Sequence, residues 1–341
     1  MSNITILFGN GLGMALDPDY FKLEAGLKKA WNSFDNNQQK IISLGTNIYP
    51  NTEQALEKHH IISTACKNLF QNQNNNICWL SEEGKQFYEL YQNFIYKTAK
   101  HYFEYQNNLP DDFTNSLCNF INSIFLDKKT CHIATINYDK LVYKALIDKK
   151  ILDCYHDGGL VDGIYNKLKV FKEENLIPIY HNFGWYLHLH GSPIFKKYGE
   201  SICKTNINKN LSDDFIEKEP IQNLIQAQYH DEIVLASPQK KSGLIANSFL
   251  LSTYFYYFQK ALSGSDRLYI IGYSGNDEHI NSAIKTWILE NKSPRTLFIT
   301  IVEWDKSNHS LDDWSDKLIP SGHKIEITIK PLVNILNYNF V

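Results

Sequence analysis

A glycine-rich stretch follows the first apolar run of the sequence. The run ITIL leads into FGNGLGM, residues 8–14, which places Gly9, Gly11 and Gly13 at alternate positions. Glycines at the end of a parallel strand let backbone amides approach a pyrophosphate. The dinucleotide fingerprint G-x-G-x-x-G would require a third glycine where this chain has Met14. The stretch therefore predicts either a phosphate cradle or a turn of purely structural use.

Three later apolar runs also end in residues that could do chemistry. HIATINYD ends in Asn137 and Asp139, and YLHLHGSP carries His190 followed by Gly191. The run RLYIIG continues into small and polar residues: Gly272, Ser274 and Asp277. Each has an ordinary structural interpretation as turn former, satisfied strand-end histidine or helix cap. Because parallel strands share one carboxyl edge, the four strand ends are expected to converge where a nucleotide would bind.

The elements that would position these residues alternate between strands and helices. The runs of β-type composition are ITILF (4–8), HIATI (132–136), YLHLH (186–190), EIVLA (232–236), RLYIIG (267–272), TLFITIVE (296–303) and KIEITI (324–329). Helical periodicity falls between several of them, for example over 242–264 and 277–290. This alternation predicts an α/β fold, a Rossmann-like and largely parallel sheet with helices on both faces.

Two long segments interrupt the alternation. Residues of about 20–127 have mainly helical patterns, which predicts a large helical insertion after the first strand. Residues of about 150–220 mix loop and short-element signals and predict an irregular insertion. No internal repeat or strong linker divides the chain, so residues 1–341 are expected to form a single core.

The composition argues against several classes of protein. The formal charge is −3, which leaves no basic footprint for direct nucleic-acid binding. The six cysteines form no C-x-x-C pair, so neither a disulfide framework nor a zinc site is expected, and we predict no metal. No run approaches the ~20 apolar residues of a membrane span, and the N-terminus lacks a basic signal-peptide region. These features predict a cytoplasmic protein without a membrane partner.

Four motifs, in order along the chain, resemble those of the sirtuin-like (silent information regulator) family. They are GNGLG (9–13), TINYD (135–139), LHLHG (187–191) and GYSGND (272–277). The family pattern is a glycine-rich first turn, T-x-N-x-D, a strand ending in H-G and a late G-x-S turn. The resemblance spans about residues 4–290 and implies an enzyme that uses NAD as its substrate.

The departures from that pattern indicate a subtype. Family deacylases usually begin G-A-G-x-S, continue into an arginine-bearing loop and carry a zinc ribbon of paired cysteines. This chain has Asn10 and Gly13 at the corresponding places, and neither the loop nor the paired cysteines. It looks more like bacterial sirtuin-like effectors of antiphage defence. This resemblance implies that the chain is an NAD hydrolase. The expected partners are further copies of the chain and a defence-system subunit such as a HerA-type ATPase.

The resemblance also implies a role for each residue. Asn137 would hold a ribose hydroxyl and a water, and His190, with an ordinary pKa near ~6.5, would accept a proton. Asp139 would bind the nicotinamide carboxamide. The cofactor-binding set is completed by Gly9, Asn10 and Gly11 at the pyrophosphate, Gly272 and Ser274 at the adenosine, and Gly191 and Asp277.

Several alternatives stay open at this point. A protein deacylase, an ADP-ribosyltransferase or a non-enzymatic nucleotide-sensing subunit could use the same scaffold, and NADP could replace NAD. For Asp277 a helix cap is preferred over a ligand role. His188 is predicted to be a buried, hydrogen-bonded histidine. Lys240 and Lys241 follow a strand end and could contact phosphate, but a solvated loop is preferred for them.

Overall fold

The computed structural model describes residues 3–46, 48–71, 79–152, 159–164, 170–177, 184–198, 201–205, 232–291, 297–304, 306, 309–323, 325–330 and 334–340. Nine strands occur in these ranges: β1 (Asn3–Phe8), β2 (Cys131–Thr135), β3 (Leu160–Val161), β4 (Gly184–His188), β5 (Phe195–Tyr198), β6 (Ser201–Lys204), β7 (Ser265–Ile271), β8 (Phe298–Val302) and β9 (Glu326–Lys330). Seven form one parallel sheet in the order β3-β4-β2-β1-β7-β8-β9, and β5 pairs with β6 as an antiparallel hairpin.

Helices surround this sheet. In the described ranges they are α1 (Gly11–Leu16), α2 (Pro18–Phe21), α3 (Leu23–Trp31), α4 (Asn36–Ile42), α5 (Glu53–Gln71), α6 (Glu82–Phe103), α7 (Asp111–Leu126), α8 (Leu141–Asp148), α9 (Pro238–Asn247), α10 (Phe249–Ser263), α11 (Glu278–Glu290) and α12 (Leu311–Leu318). The predicted α/β, Rossmann-like class is confirmed. Among the described helices, none combines the length and apolar character that crossing a membrane requires.

Strand β1 occupies the centre of the sheet because it is apolar on both faces. Ile6, Leu7 and Phe8 are fully buried, as expected for a parallel strand covered by helices on each side. Its neighbours are β2 on one side and β7 on the other. The strand order therefore reverses between β1 and β7, and ligands of open α/β sheets bind at such a switch point.

The residues between β1 and β2 build a second hydrophobic cluster. Helices α3 to α6 contribute buried side chains such as Leu27, Phe34, Phe87 and Phe94. The cluster also takes in Ile233 and Leu235, which follow in the chain more than a hundred residues later. This helical module is thus packed onto residues 232–236, which cross the chain just beyond β4 at Gly191.

Two sequence-based element predictions are wrong. The run EIVLA (232–236) is not a sheet strand; it forms one isolated antiparallel bridge, between Ile233 and Gly191. Its apolar side chains are buried although its backbone is irregular. Composition alone therefore predicted a strand wrongly. The segment 242–264 is two helices rather than one, because the Ser248 side chain accepts a hydrogen bond from Leu251 N–H and starts α10.

Candidate active site

The glycine-rich loop after β1 packs directly against the loop after β7. Gly9 N–H donates to Ile271 O at 2.9 Å, and Gly11 N–H donates to Gly272 O at 2.7 Å. A Cβ on Gly11 would lie 2.6 Å from Gly272 Cα, so only glycine permits this approach. Of the three residues predicted to face a pyrophosphate, Gly9 and Gly11 have their amides hydrogen-bonded within the protein, and the Nδ2 of Asn10 donates to Phe21 O at 3.0 Å. The purely structural turn, left open by the sequence, is what these contacts support.

Asn137 ties the end of β2 to the same glycine loop. Its Nδ2 donates to Gly9 O at 3.1 Å, and its backbone N–H donates to Thr135 Oγ1 at 3.0 Å. Its Oδ1 is buried and has no hydrogen-bond partner among the described residues. Because the hydrogen bond from Nδ2 fixes the orientation of the amide, Oδ1 is left as a hydrogen-bond acceptor for a ligand.

His190 lies just beyond β4, at a crossing of two backbones. Gly191 adopts a φ of +80°, and a Cβ there would lie 1.7 Å from Glu232 O. Gly191 is therefore needed for backbone clearance. His190 Nε2 lies 3.1 Å from Nε2 of His279, the second residue of α11. Asn137 is only 6% exposed and His190 only 2%, so both of these strand-end residues are buried.

Burial changes the acid–base character of His190. It lowers the pKa of the imidazole to about 3; Lys241 and His279 act in the same direction and Asp277 opposes them. The sequence-based expectation of an ordinary histidine pKa is therefore wrong. Because the ring is neutral at neutral pH, it can accept a hydrogen bond, but it is a weak base.

Asp277 forms a buried ion-pair chain after β7. Lys241 Nζ lies 2.6 Å from Asp277 Oδ1 and 3.0 Å from Glu53 Oε1. Burial disfavours both charges, but the partners outweigh it and hold the Asp277 pKa below its usual value and the Lys241 pKa above. The Asp277 side chain makes no capping hydrogen bond to α11, so the preferred cap role is wrong. Lys241 lies buried on α9, not in a solvated loop.

Asp139 and His188 differ in how their polar atoms are satisfied. Asp139 Oδ1 accepts the Leu141 N–H at 2.9 Å at the start of α8, and burial raises its pKa to about 6. His188 is buried, as predicted, among Tyr143, Tyr186 and other rings. Neither of its ring nitrogens has a hydrogen-bond partner within the described ranges, so that part of the prediction is wrong.

The strand ends enclose one cavity of about 340 Å³. Eight of the ten predicted site residues line it: Asn10, Gly11, Asn137, Asp139, His190, Gly272, Ser274 and Asp277. Gly9 and Gly191 are not among its lining residues. The cavity volume falls within the roughly 300–1,000 Å³ typical of small-molecule sites.

Sequence reasoning missed several residues of this cavity. Glu53 and Tyr102 line it from the helical module, where no local pattern marked them, whereas Lys241 of α9 had been singled out but placed in a solvated loop. Glu303 also lines it; its Oε1 accepts from Trp314 Nε1 at 2.7 Å and contacts His309 Nδ1 at 2.8 Å. The signal for Glu303 was present, since it is an acid at the end of the run TLFITIVE.

One comparison with known proteins identifies the family. The sequence signature of the SIR2-like domain matches residues 131–319, more than half of the chain. The chain belongs to the SIR2-like family. SIR2-like domains use NAD, so the family implies an NAD-dependent enzymatic activity. No curated protein matches the chain.

One polar atom in the cavity of this SIR2-like chain is placed to bind a ligand. The buried Oδ1 of Asn137 has no protein partner in the described ranges and can accept a hydrogen bond from a ligand hydroxyl. A cavity with apolar walls and a few converging polar groups is typical of small-molecule and cofactor sites. One group of described residues also suits a metal ion: His190, Asp277 and His279 have ligand atoms within 4.8 Å of one another.

Proposed function

We propose that this SIR2-like chain is an NAD glycohydrolase. Water replaces nicotinamide on C1′ of the ribose, and the bond electrons return to the cationic pyridinium, which leaves as neutral nicotinamide. The other product is ADP-ribose, and the proton from water goes to solvent. The observation that carries the proposal is that Asn137, with its unpaired acceptor, and His190 line the same cavity.

Asn137 would position the reacting sugar. Its amide is anchored on Gly9 O, so Oδ1 is held in place to accept from a ribose hydroxyl or from the attacking water. An amide does this without adding charge near the sugar. Fixing a reactant in this way contributes to rate because the orientation is set before the reaction begins.

His190 would complete the placement of water. As a neutral imidazole it accepts a hydrogen bond from water without placing a positive charge beside the oxocarbenium-like transition state. The ion pairs of Lys241 with Glu53 and Asp277 leave one excess negative charge. This charge stabilises the positive charge that develops on the sugar in the transition state. Asp139, when ionised, would accept from the NH₂ of the nicotinamide carboxamide.

We further propose a role in antiphage defence, as an effector that depletes cellular NAD once it is activated. The support is the motif resemblance together with a physiological requirement. An unrestrained NAD hydrolase would poison its own cell, so restraint is expected through homo-oligomer assembly or a partner such as a HerA-type ATPase. The proposed compartment is the cytoplasm.

Product analysis tests the activity. The purified chain, alone and with its genomic neighbour, would be incubated with NAD in the presence and absence of acetylated peptide. We expect free ADP-ribose and nicotinamide in equal amounts, with no dependence on peptide. Deacetylation of the peptide would indicate a deacylase, and ADP-ribose attached to protein a transferase. NAD unchanged with every partner would indicate a sensing subunit.

A further inference from the structure

A cluster of three potential metal ligands borders the cavity. His190 lies two residues beyond the end of β4, whereas Asp277 immediately precedes α11 and His279 is its second residue. The two Nε2 atoms of the histidines lie 3.1 Å apart. In a tetrahedral zinc site, with Zn–N bonds of about 2.0–2.1 Å, two nitrogen ligands lie about 3.3 Å apart. Without an ion this contact is a hydrogen bond between the two rings, and its length also suits two ligands of a single ion.

The charges around the cluster favour a cation. Lys241 Nζ contacts Oδ1 of Asp277, which leaves the second carboxylate oxygen for another ligand. On its other side Lys241 contacts Glu53, so these three residues together carry one excess negative charge.

We propose that His190, Asp277 and His279 bind a divalent transition-metal ion, with Zn²⁺ the best match. Two imidazoles and a carboxylate suit this ion and leave a coordination position open. A divalent cation on His190 would place positive charge beside the oxocarbenium-like transition state of the proposed reaction. The ion therefore inhibits the reaction. This inhibitory role rests on the proposed function, whereas the metal binding does not.

Cobalt titration tests the binding without any assay of activity. Co²⁺ substitutes for Zn²⁺ and gives visible absorption whose intensity reports a site of low coordination number. We expect the full-length chain to bind one equivalent, with no sulfur-to-metal charge-transfer band, and Zn²⁺ to displace it. A sulfur band, or no binding at micromolar Co²⁺, would overturn the proposal.

Variants locate the site. His279→Ala and Asp277→Asn should each raise the Kd for Co²⁺ by at least about 10-fold, because even loss of a group that only orients a ligand costs about 10–100-fold. His323→Ala removes a histidine outside the cluster and should bind as the unmodified chain does. Circular dichroism would check folding, and Asp277→Asn, which preserves shape, decides the matter if His279→Ala does not fold. An unchanged Kd in a folded variant would refute the assignment.

NAD turnover tests the inhibition. Zn²⁺ at saturation should suppress turnover by the unmodified chain, and a chelator should restore it. A chain that cleaves NAD at an unchanged rate with Zn²⁺ bound would contradict the inhibitory role. A chain that binds Co²⁺ but never cleaves NAD would contradict the proposed hydrolase and leave the metal site standing.

Discussion

Asn137 joins two strand ends through one side chain. Its Nδ2 is bonded to Gly9 O, and its buried Oδ1 is left without a protein partner in the described ranges. A buried acceptor of this kind costs about 1–3 kcal/mol when nothing satisfies it. Such a cost is common at functional sites, where a ligand supplies the missing partner.

Asp139 should control the acid side of the pH profile. Burial raises the pKa of its carboxyl to about 6, so it is ionised above that pH and protonated below it. If the ionised form binds the carboxamide, kcat/KM should fall as the pH drops through about 6. The pKa of His190, at about 3, lies too low to contribute there.

Asp139→Asn is the matched variant because its Oδ1 can still accept the Leu141 N–H. We expect kcat/KM to fall by about 10-fold at pH 7.5, since hydrogen bonds to charged groups contribute about 1.5–3 kcal/mol. The inflection near pH 6 should also disappear. An inflection that persists in Asp139→Asn would assign it to another group.

Sequence reasoning at the residue scale located strand ends but not their partners. Asn137 and Asp139 were found because polar residues interrupt an apolar run, which is a local signal. The contact of Lys241 with Glu53 joins residues far apart in sequence, and no spacing rule connects them. Likewise, the pKa of His190 depends on burial by the whole fold, so residue type alone gave the wrong value.

At the scale of elements, the loops that follow β1 and β7 pack closely together and form one wall of the cavity. Gly272 has a φ of +66°, and a Cβ there would lie 2.6 Å from Leu12 N. Gly272→Ala should therefore destabilise the protein by more than about 1 kcal/mol, because both the conformation and the contact oppose a side chain. Denaturant unfolding measures this loss.

Gly243 provides the control for that substitution. It lies within α9, and a Cβ built there meets no other atom within 4 Å. Gly243→Ala should stabilise the protein by up to about 1 kcal/mol through helix propensity. If Gly272→Ala is no less stable than Gly243→Ala, the packed glycine contact is not needed.

Elements with a strong local period were predictable and those fixed by tertiary contacts were not. Strands such as β1 and β7 are apolar runs that end in turn residues, and α11 follows its predicted range 277–290 closely. EIVLA has the same composition as a strand, but it crosses Gly191 as a single bridge. The break at Ser248 depends on one capping hydrogen bond inside a continuous helical pattern.

At the scale of the whole molecule, one buried lysine connects three parts. Lys241 on α9 contacts Glu53 at the start of α5 and Asp277 at the end of the sheet. The helical module also supplies Tyr102 to the cavity wall. The site is thus assembled from the sheet and the module together, and both must be in place for the cavity to exist.

Lys241→Met should weaken the fold strongly. It leaves the carboxylates of Glu53 and Asp277 without their shared cation, and breaking a buried ion pair costs about 3–5 kcal/mol. Lys240→Met is the matched control, because that side chain is 42% exposed and lies 3.9 Å from Glu57. It should change the free energy of unfolding by no more than about 0.5 kcal/mol. Equal effects of the two variants would show that the buried chain contributes little.

The central claim is that Asn137 and His190 act on the same sugar of NAD. Steady-state turnover of NAD by Asn137→Ala and His190→Ala tests it most directly. His188→Ala serves as control, since it removes a buried histidine from the same strand region but not from the cavity lining. We predict that each site variant, shown to be folded, loses at least about 100-fold in kcat, while His188→Ala retains turnover. Near-normal turnover in either site variant would contradict the account.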